Sequence, residues 1–191
     1  MVQALANRMA DYVARNDETA NQEVLAYGYG LILMGIVSYT TVLASAFMFG
    51  VVREMLIAMA VYLLMRLTVG GCHANRRAVC YVTYAGTLYL SIFLSTFLSF
   101  TLYAIVLLYL ANVALLIMYA PGDTVEQPMV KRRLLRKIMG LIIVSCLFAF
   151  VILFRDMSTE RNILLLVATS TSIFLHPYVY KAYRCERSSN N

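Results

Sequence analysis

Charge is scarce in this chain, and the little there is falls in clusters. Only 14% of the 191 residues are charged against 61% apolar, and the mean hydropathy is +0.72. A soluble domain of this length cannot bury so much apolar surface, so a water-soluble globular protein is excluded and lipid is required. The net charge of +6 would suit a nucleic acid, but the basic residues stand in short groups between apolar stretches, without interleaved aromatics. They read as anchors of a membrane protein, with no nucleic-acid partner. The four cysteines, Cys72, Cys80, Cys146 and Cys185, lack any paired spacing. That speaks against a disulfide framework or a zinc ribbon and leaves free thiols. Internal repeats and low-complexity segments are missing. The first two dozen residues lack the apolar core of a signal peptide, holding Arg8, Asp11, Arg15, Asp17, Glu18 and Glu23 instead, and are expected to stay on the protein.

Long apolar runs are what the chain does have. Measured against the roughly 20 residues that cross a bilayer, spans are expected at 27–49, 51–69, 81–99, 101–119, 138–154 and 162–180. The expected fold class is an all-α integral membrane protein with six transmembrane helices, preceded by a segment at 1–26 and followed by a tail at 181–191. In the second span Arg53, Glu54 and Arg66 leave a short uncharged core, which also suits a tilted or re-entrant element. Only Ser99-Phe100-Thr101 separates the third span from the fourth, which predicts a tight antiparallel hairpin. Ahead of the spans Val2, Leu5, Met9, Tyr12 and Val13 recur at helical spacing, as in an amphipathic helix along the interface, and a plain polar lead-in is equally open. With the N-terminus inside, 13 of the 16 basic residues fall on inner segments and only Arg53, Arg155 and Arg161 on outer ones. Both termini are therefore expected to be cytoplasmic.

Reactive side chains concentrate in the inner loop at 66–80, where His73, one of two histidines, precedes Cys80 by seven residues. A thiol becomes a strong nucleophile as thiolate, and a nearby imidazole can take its proton and return it to a leaving amine. On a continuous helix seven residues put the two side chains on one face but roughly 10 Å apart along the axis, beyond hydrogen-bond reach. Gly70-Gly71 can fold the chain back, with Asn75 as the expected N-cap of the next helix and Cys80 about a turn inside it. Interfacial decoration remains an alternative reading of the pair. A metal site on Cys72, His73 and Cys80 is disfavoured because adjacent ligands splay apart and no fourth is evident.

Taken together, Arg66, the Gly71-Cys72-His73 to Cys80-Tyr81 stretch, Met118-Tyr119-Ala120-Pro121, Pro128 and the basic run from Lys131 to Lys137 resemble the accessory gene regulator B (AgrB) family of bacterial quorum-sensing peptidases. The resemblance covers nearly the whole chain. It implies a membrane cysteine endopeptidase that cleaves an AgrD-type propeptide at the cytoplasmic face of a bacterial membrane, with His73 and Cys80 catalytic and no cofactor or metal. Cys80 would hold the fragment as a thioester, which an internal Cys or Ser of the peptide attacks to close a thiolactone or lactone ring. The same resemblance implies that Arg66 positions a substrate carboxylate or developing charge, that Gly71 lets substrate backbone approach, and that Lys131, Arg132 and Arg133 attract an acidic propeptide tail in the basic inner loop at 120–137. Helix-end snorkelling explains Arg66 equally well, and positive-inside anchoring is the favoured reading of the basic run. The implied partners are the propeptide and the lipid bilayer, and the oligomeric state, a homodimer included, stays open.

Several features depart from the pattern or fall outside it. Gly30 stands where a polar residue would be expected in the first span, and Cys72 beside His73 is a rival nucleophile. No third catalytic member is visible, although Asn75 and Thr68 are near in sequence, and His176-Pro177 reads as a helix-terminating pair. A non-enzymatic transporter or assembly factor is the rival reading. A transporter would carry ionisable groups near the midplane, whereas the charges here fall at span ends.

The charge asymmetry makes a direct prediction about sidedness. Single-cysteine probes at Ser158 and Asn75 should label from opposite sides, Ser158 from outside and Asn75 from the cytoplasm. Labelling of both positions from one side would refute the map.

Overall fold

The computed structural model describes residues 2–16, 21–72, 77–123, 132–154 and 158–185, with the Arg77 side chain left out. Among these residues every named element is a helix. α1 (Val2–Asn16) and α2 (Gln22–Phe49) form one unit, and the helices from α3 onward form a second.

In the first unit, Asn21 caps α2, its side-chain oxygen accepting the Glu23 and Val24 amides at 3.0 and 3.3 Å. Gly50 closes the helix in the left-handed region at φ 68°. α1 buries Ala6 and Ala10, and a Cβ on Gly30 would stand 3.4 Å from the Gln3 side chain. The missing side chain at Gly30 therefore leaves room for α1. The helix suggested by spacing is present, yet Leu5, Met9 and Tyr12 are exposed because the contact with α2 is made by alanines.

The second unit comprises α3 (Val52–Val69), α4 (Arg77–Phe97), α5 (Leu102–Tyr119), α6 (Arg133–Leu153), α7 (Ser158–Ile173) and the short α8 (Pro177–Ala182). α3 and α7 lie together at its centre. α4 covers both, α6 touches α3, α5 and α7, and α5 rests on α6 and α7. The up-and-down course gathers the segments after α3, α5 and α7 at one end. At the other, Arg53 pairs with Glu160 at 2.9 Å, and Asn162 donates to the Ser95 and Leu98 carbonyls at 3.1 and 2.6 Å. Further in, Asn112 donates to Thr169 at 3.0 Å, and the Tyr109 and Ser145 hydroxyls meet at 3.1 Å. Such polar ties help hold helices together where apolar surfaces have lipid as an equally good neighbour.

Four helical stretches are long and apolar enough to cross a membrane: Gln22–Phe49, Ala78–Phe97, Leu102–Tyr119 and Arg133–Leu153. Of the other two expected spans, α3 carries Arg53, Glu54 and Arg66, and α7 has only 16 residues. At 1.5 Å per residue α7 is about 24 Å long, against about 30 Å of hydrocarbon. These two are also the helices with the most buried residues. Eight residues of α7 and seven of α3 are buried, so their composition is set by protein neighbours more than by lipid.

The sixth apolar stretch differs from its expected form. It is broken at Ile173, and α8 restarts at Pro177, with His176 accepting the Tyr178 amide at 3.3 Å. His176-Pro177 therefore opens a new helix beyond the end of the old one. The turn between α4 and α5 is short, as expected, but α4 and α5 pack on α7 more than on each other, since Asn162 occupies the end of α4.

Close approach of α3 and α6 depends on Gly140, where a Cβ would run into Val69 Cγ1. Valine is stiff at χ1 and cannot swing clear. Gly140→Ala should cost about 1–3 kcal/mol by overpacking, more than the gain of up to about 1 kcal/mol from helix propensity. Adding Val69→Ala should recover part of that loss in denaturation measured in detergent, and simple additivity of the two losses would show that the residues do not interact.

Candidate active site

Glycine shapes the end of the second unit where the segments after α3, α5 and α7 meet. α3 stops at Val69, and Gly70 and Gly71 turn the chain at φ 72° and 129°, values L side chains rarely adopt. The Gly71 amide donates to the Gly122 carbonyl at 2.9 Å, and the Gly122 amide donates to the Val69 carbonyl at 2.8 Å. This bridge ties the loop to the chain leaving α5. A Cβ at Gly122 would lie 2.6 Å from both Leu175 Cδ2 and the Tyr180 hydroxyl, so the junction requires glycine.

Arg66, near the end of α3, fastens the loop from the other side. Its Nη1 donates to the Gly70 carbonyl at 3.1 Å, its Nη2 to the Cys72 carbonyl at 2.8 Å and its Nε to the Tyr62 hydroxyl at 3.3 Å. The guanidinium also lies 5.7 Å from the Tyr62 ring centroid, within range of a cation–π contact. It fills the space beside Gly71, where any Cβ would collide with Nη1. The loop is thereby fixed up to Cys72, whose amide also faces the Phe174 carbonyl at 3.5 Å.

Cys80 lies one turn into α4 and is half-buried. Together with Tyr62, Arg66, Cys72, Thr83, Phe174 and Tyr183 it lines a pocket of about 10 Å³, room for about one water molecule. The Tyr183 hydroxyl lies 3.0 Å from Thr83 Oγ1, so the chain after α8 forms one wall. Cys72 is buried, and its Sγ sits 2.8 Å from Cys185 Sγ. Burial, followed by the Cys185 contact, pushes the Cys72 thiol well above the ordinary thiol range. It is held protonated at neutral pH.

His73, Asn75 and Lys131 lie outside the described residues. Arg132 precedes α6 and is exposed, whereas Arg133 is paired at 3.1 Å with the buried carboxylate of Asp123. No group of side chains able to hold a metal ion occurs among the described residues. Thr83 and Tyr62 stand one helical turn from Cys80 and Arg66, so helical spacing could have pointed to them. Tyr183 and Phe174, which line the pocket, and Cys185, which meets Cys72, gave no local signal, because they come from about a hundred residues away in sequence.

The profile of the family described as accessory gene regulator B matches residues 6–176. The chain belongs to the accessory gene regulator B family. An AgrB-like protein of Clostridium acetobutylicum is 30% identical over 114 residues, which are 60% of this chain and 54% of the relative, so the match spans about half of that protein's length. No solved structure matches the chain. Family membership and the apolar helices make this a membrane protein, and the family is associated with propeptide processing in accessory gene regulator quorum sensing.

The Asp123–Arg133 pair allows structural and substrate-facing roles of the basic run to be separated. Arg133→Gln strands a carboxylate whose side chain is only 2% exposed, which should cost about 2 kcal/mol after discounting for the partial exposure of the arginine. Asp123→Asn in the same chain should recover most of that loss, while Arg132→Gln should leave stability unchanged. Equal melting temperatures for the Arg132 and Arg133 variants would contradict the assignment.

Proposed function

We propose that the chain is a membrane cysteine endopeptidase that cleaves an AgrD-type propeptide at the cytoplasmic face, with Cys80 as nucleophile and His73 as its base. The observation that carries this reading is that Cys80 and Cys72 line the same pocket and that His73 is the residue covalently next to Cys72. The topology adopted here has six crossings and both termini inside. In it the two centrally packed helices α3 and α7 complete the count begun by the four apolar ones.

In this mechanism the His73 imidazole takes the proton from the Cys80 thiol, and the sulfur attacks the carbonyl carbon at the C-terminal end of the future signal. The same imidazole returns the proton to the departing amine, leaving a thioester on Cys80. An internal thiol or hydroxyl of the peptide then attacks that thioester, closing the ring and freeing the enzyme. Thioester exchange is nearly balanced, so release of the cleaved tail draws the sequence forward. A shared membrane raises the effective concentration of enzyme and propeptide.

Arg66 and Gly71 act in this reading on the loop. Each of the three guanidinium nitrogens of Arg66 donates one hydrogen bond, to Tyr62, Gly70 and Cys72, which supports a role in holding the loop that leads to His73. Lys131 and Arg132 remain candidates for the acidic tail, whereas Arg133 is engaged with Asp123. Cys72, buried against Cys185, has no open approach to a peptide carbonyl and is not the nucleophile of this reaction.

His73→Ala and Cys80→Ser should each abolish propeptide cleavage while leaving the protein in the membrane, and Cys72→Ser should keep most of the rate. A trapped peptide thioester should map to Cys80 by mass spectrometry. An adduct on Cys72, or normal cleavage without His73, would overturn the proposal.

A further inference from the structure

The sulfur atoms of Cys72 and Cys185 lie 2.8 Å apart although 113 residues separate them in sequence. A disulfide bond measures about 2.05 Å, so a sub-ångström adjustment of the two sulfurs would bring them to bonding distance. The two thiols belong to opposite sides of a structural closure. Cys72 ends the stretch fastened by Arg66, and Cys185 follows Tyr183, which forms a wall of the pocket through its hydroxyl contact with Thr83.

That pocket is too small for a peptide. At about 10 Å³ it admits about one water molecule, so an extended chain that enters it beside Cys80 has to displace one of its walls. The segment after α8 is the wall best placed to move, because α8 has only six residues and the chain beyond it is held to α4 and the loop by Tyr183 and Cys185.

We propose that Cys72 and Cys185 are a dithiol–disulfide pair that locks this closing segment over Cys80 when oxidised and releases it when reduced. The oxidant class is a hydroperoxide. Cys185, the more exposed thiol of the pair, reacts first. Its sulfur attacks the peroxide, the O–O bond breaks, and a sulfenic acid forms with release of one alcohol or water. Cys72 sulfur then attacks Cys185 sulfur and expels the hydroxyl group as water, taking up the Cys72 proton. Two thiols and one hydroperoxide give one disulfide, one water and one alcohol (or a second water). A dithiol reductant reverses the change by thiol exchange. Cys72, lying under the closing segment, serves as the resolving thiol and needs no access of its own to peroxide.

The experiment uses the full chain in detergent or vesicles, treated with a small excess of hydrogen peroxide, quenched with a maleimide and digested without reduction. The expected product is a Cys72–Cys185 crosslinked peptide, lost on treatment with dithiothreitol, absent from Cys185→Ser and from Cys72→Ser, and retained in Cys80→Ser. Because this readout requires no substrate, it stands apart from the peptidase assignment. In the same oxidised sample a bulky maleimide should label Cys80 at least about tenfold more slowly than in the reduced protein. A Cys72–Cys80 crosslink as the main product, or Cys185 accumulating as sulfinic acid without a crosslink, would overturn the pairing. Unchanged Cys80 labelling in crosslinked protein would overturn the lock.

Discussion

The guanidinium of Arg66 is the constraint on which the working end of the second unit depends. Helix α3 stops at Val69, and the chain doubles back through Gly70 and Gly71. Arg66 satisfies the Gly70 and Cys72 carbonyls at once while resting on Tyr62. Three consequences follow from this arrangement. Gly71 has to be glycine because the guanidinium fills its side-chain space. The bridge to Gly122 can form because the turn is held open toward α5. Cys72 is drawn inward beneath the C-terminal segment. Lysine has one compact charge in place of a planar fork and could not hold both carbonyls in the same way.

A division of labour among the helices underlies this arrangement. α4, α5 and α6 are apolar enough to meet lipid, while α3 and α7 carry the polar residues that make specific contacts: Arg53 with Glu160, Asn162 with the end of α4, Thr169 with Asn112. The pocket draws on both groups. Tyr62 and Arg66 come from α3, Cys80 and Thr83 from α4, and Phe174 and Tyr183 from the chain after α7.

Much of the helical layout was legible because a bilayer imposes length and apolarity that are visible residue by residue. The runs that became α2, α4, α5 and α6 could be outlined closely, and so could the turn at Ser99–Thr101 and the position of Cys80 in the first turn of its helix. The break after Ile173 was announced by His176-Pro177, but its exact place was not, since Phe174 and Leu175 continue the apolar run and Phe174 packs into the pocket. The charges of α3 were visible, but not that one face of the helix packs against α4, α6 and α7. At the site, the glycine turn and the place of Cys80 one turn into α4 could be read locally. The donors of Arg66, the partner of Arg133 and the meeting of Cys72 with Cys185 could not, since each depends on which loops share an end of the bundle.

The packing of α3 bears on how the protein is made. A segment leaving the ribosome is sorted by its own hydrophobicity, and α3 emerges with three charged residues before any of the helices that will pack against it. It is a poor candidate for stable residence in lipid alone. Its favourable environment exists only after α4, α6 and α7 have been synthesised. The buried face of α3 is therefore completed only when the later helices exist, and the pocket, which needs Phe174 and Tyr183 as well as Tyr62 and Arg66, is among the last parts of the molecule to take shape.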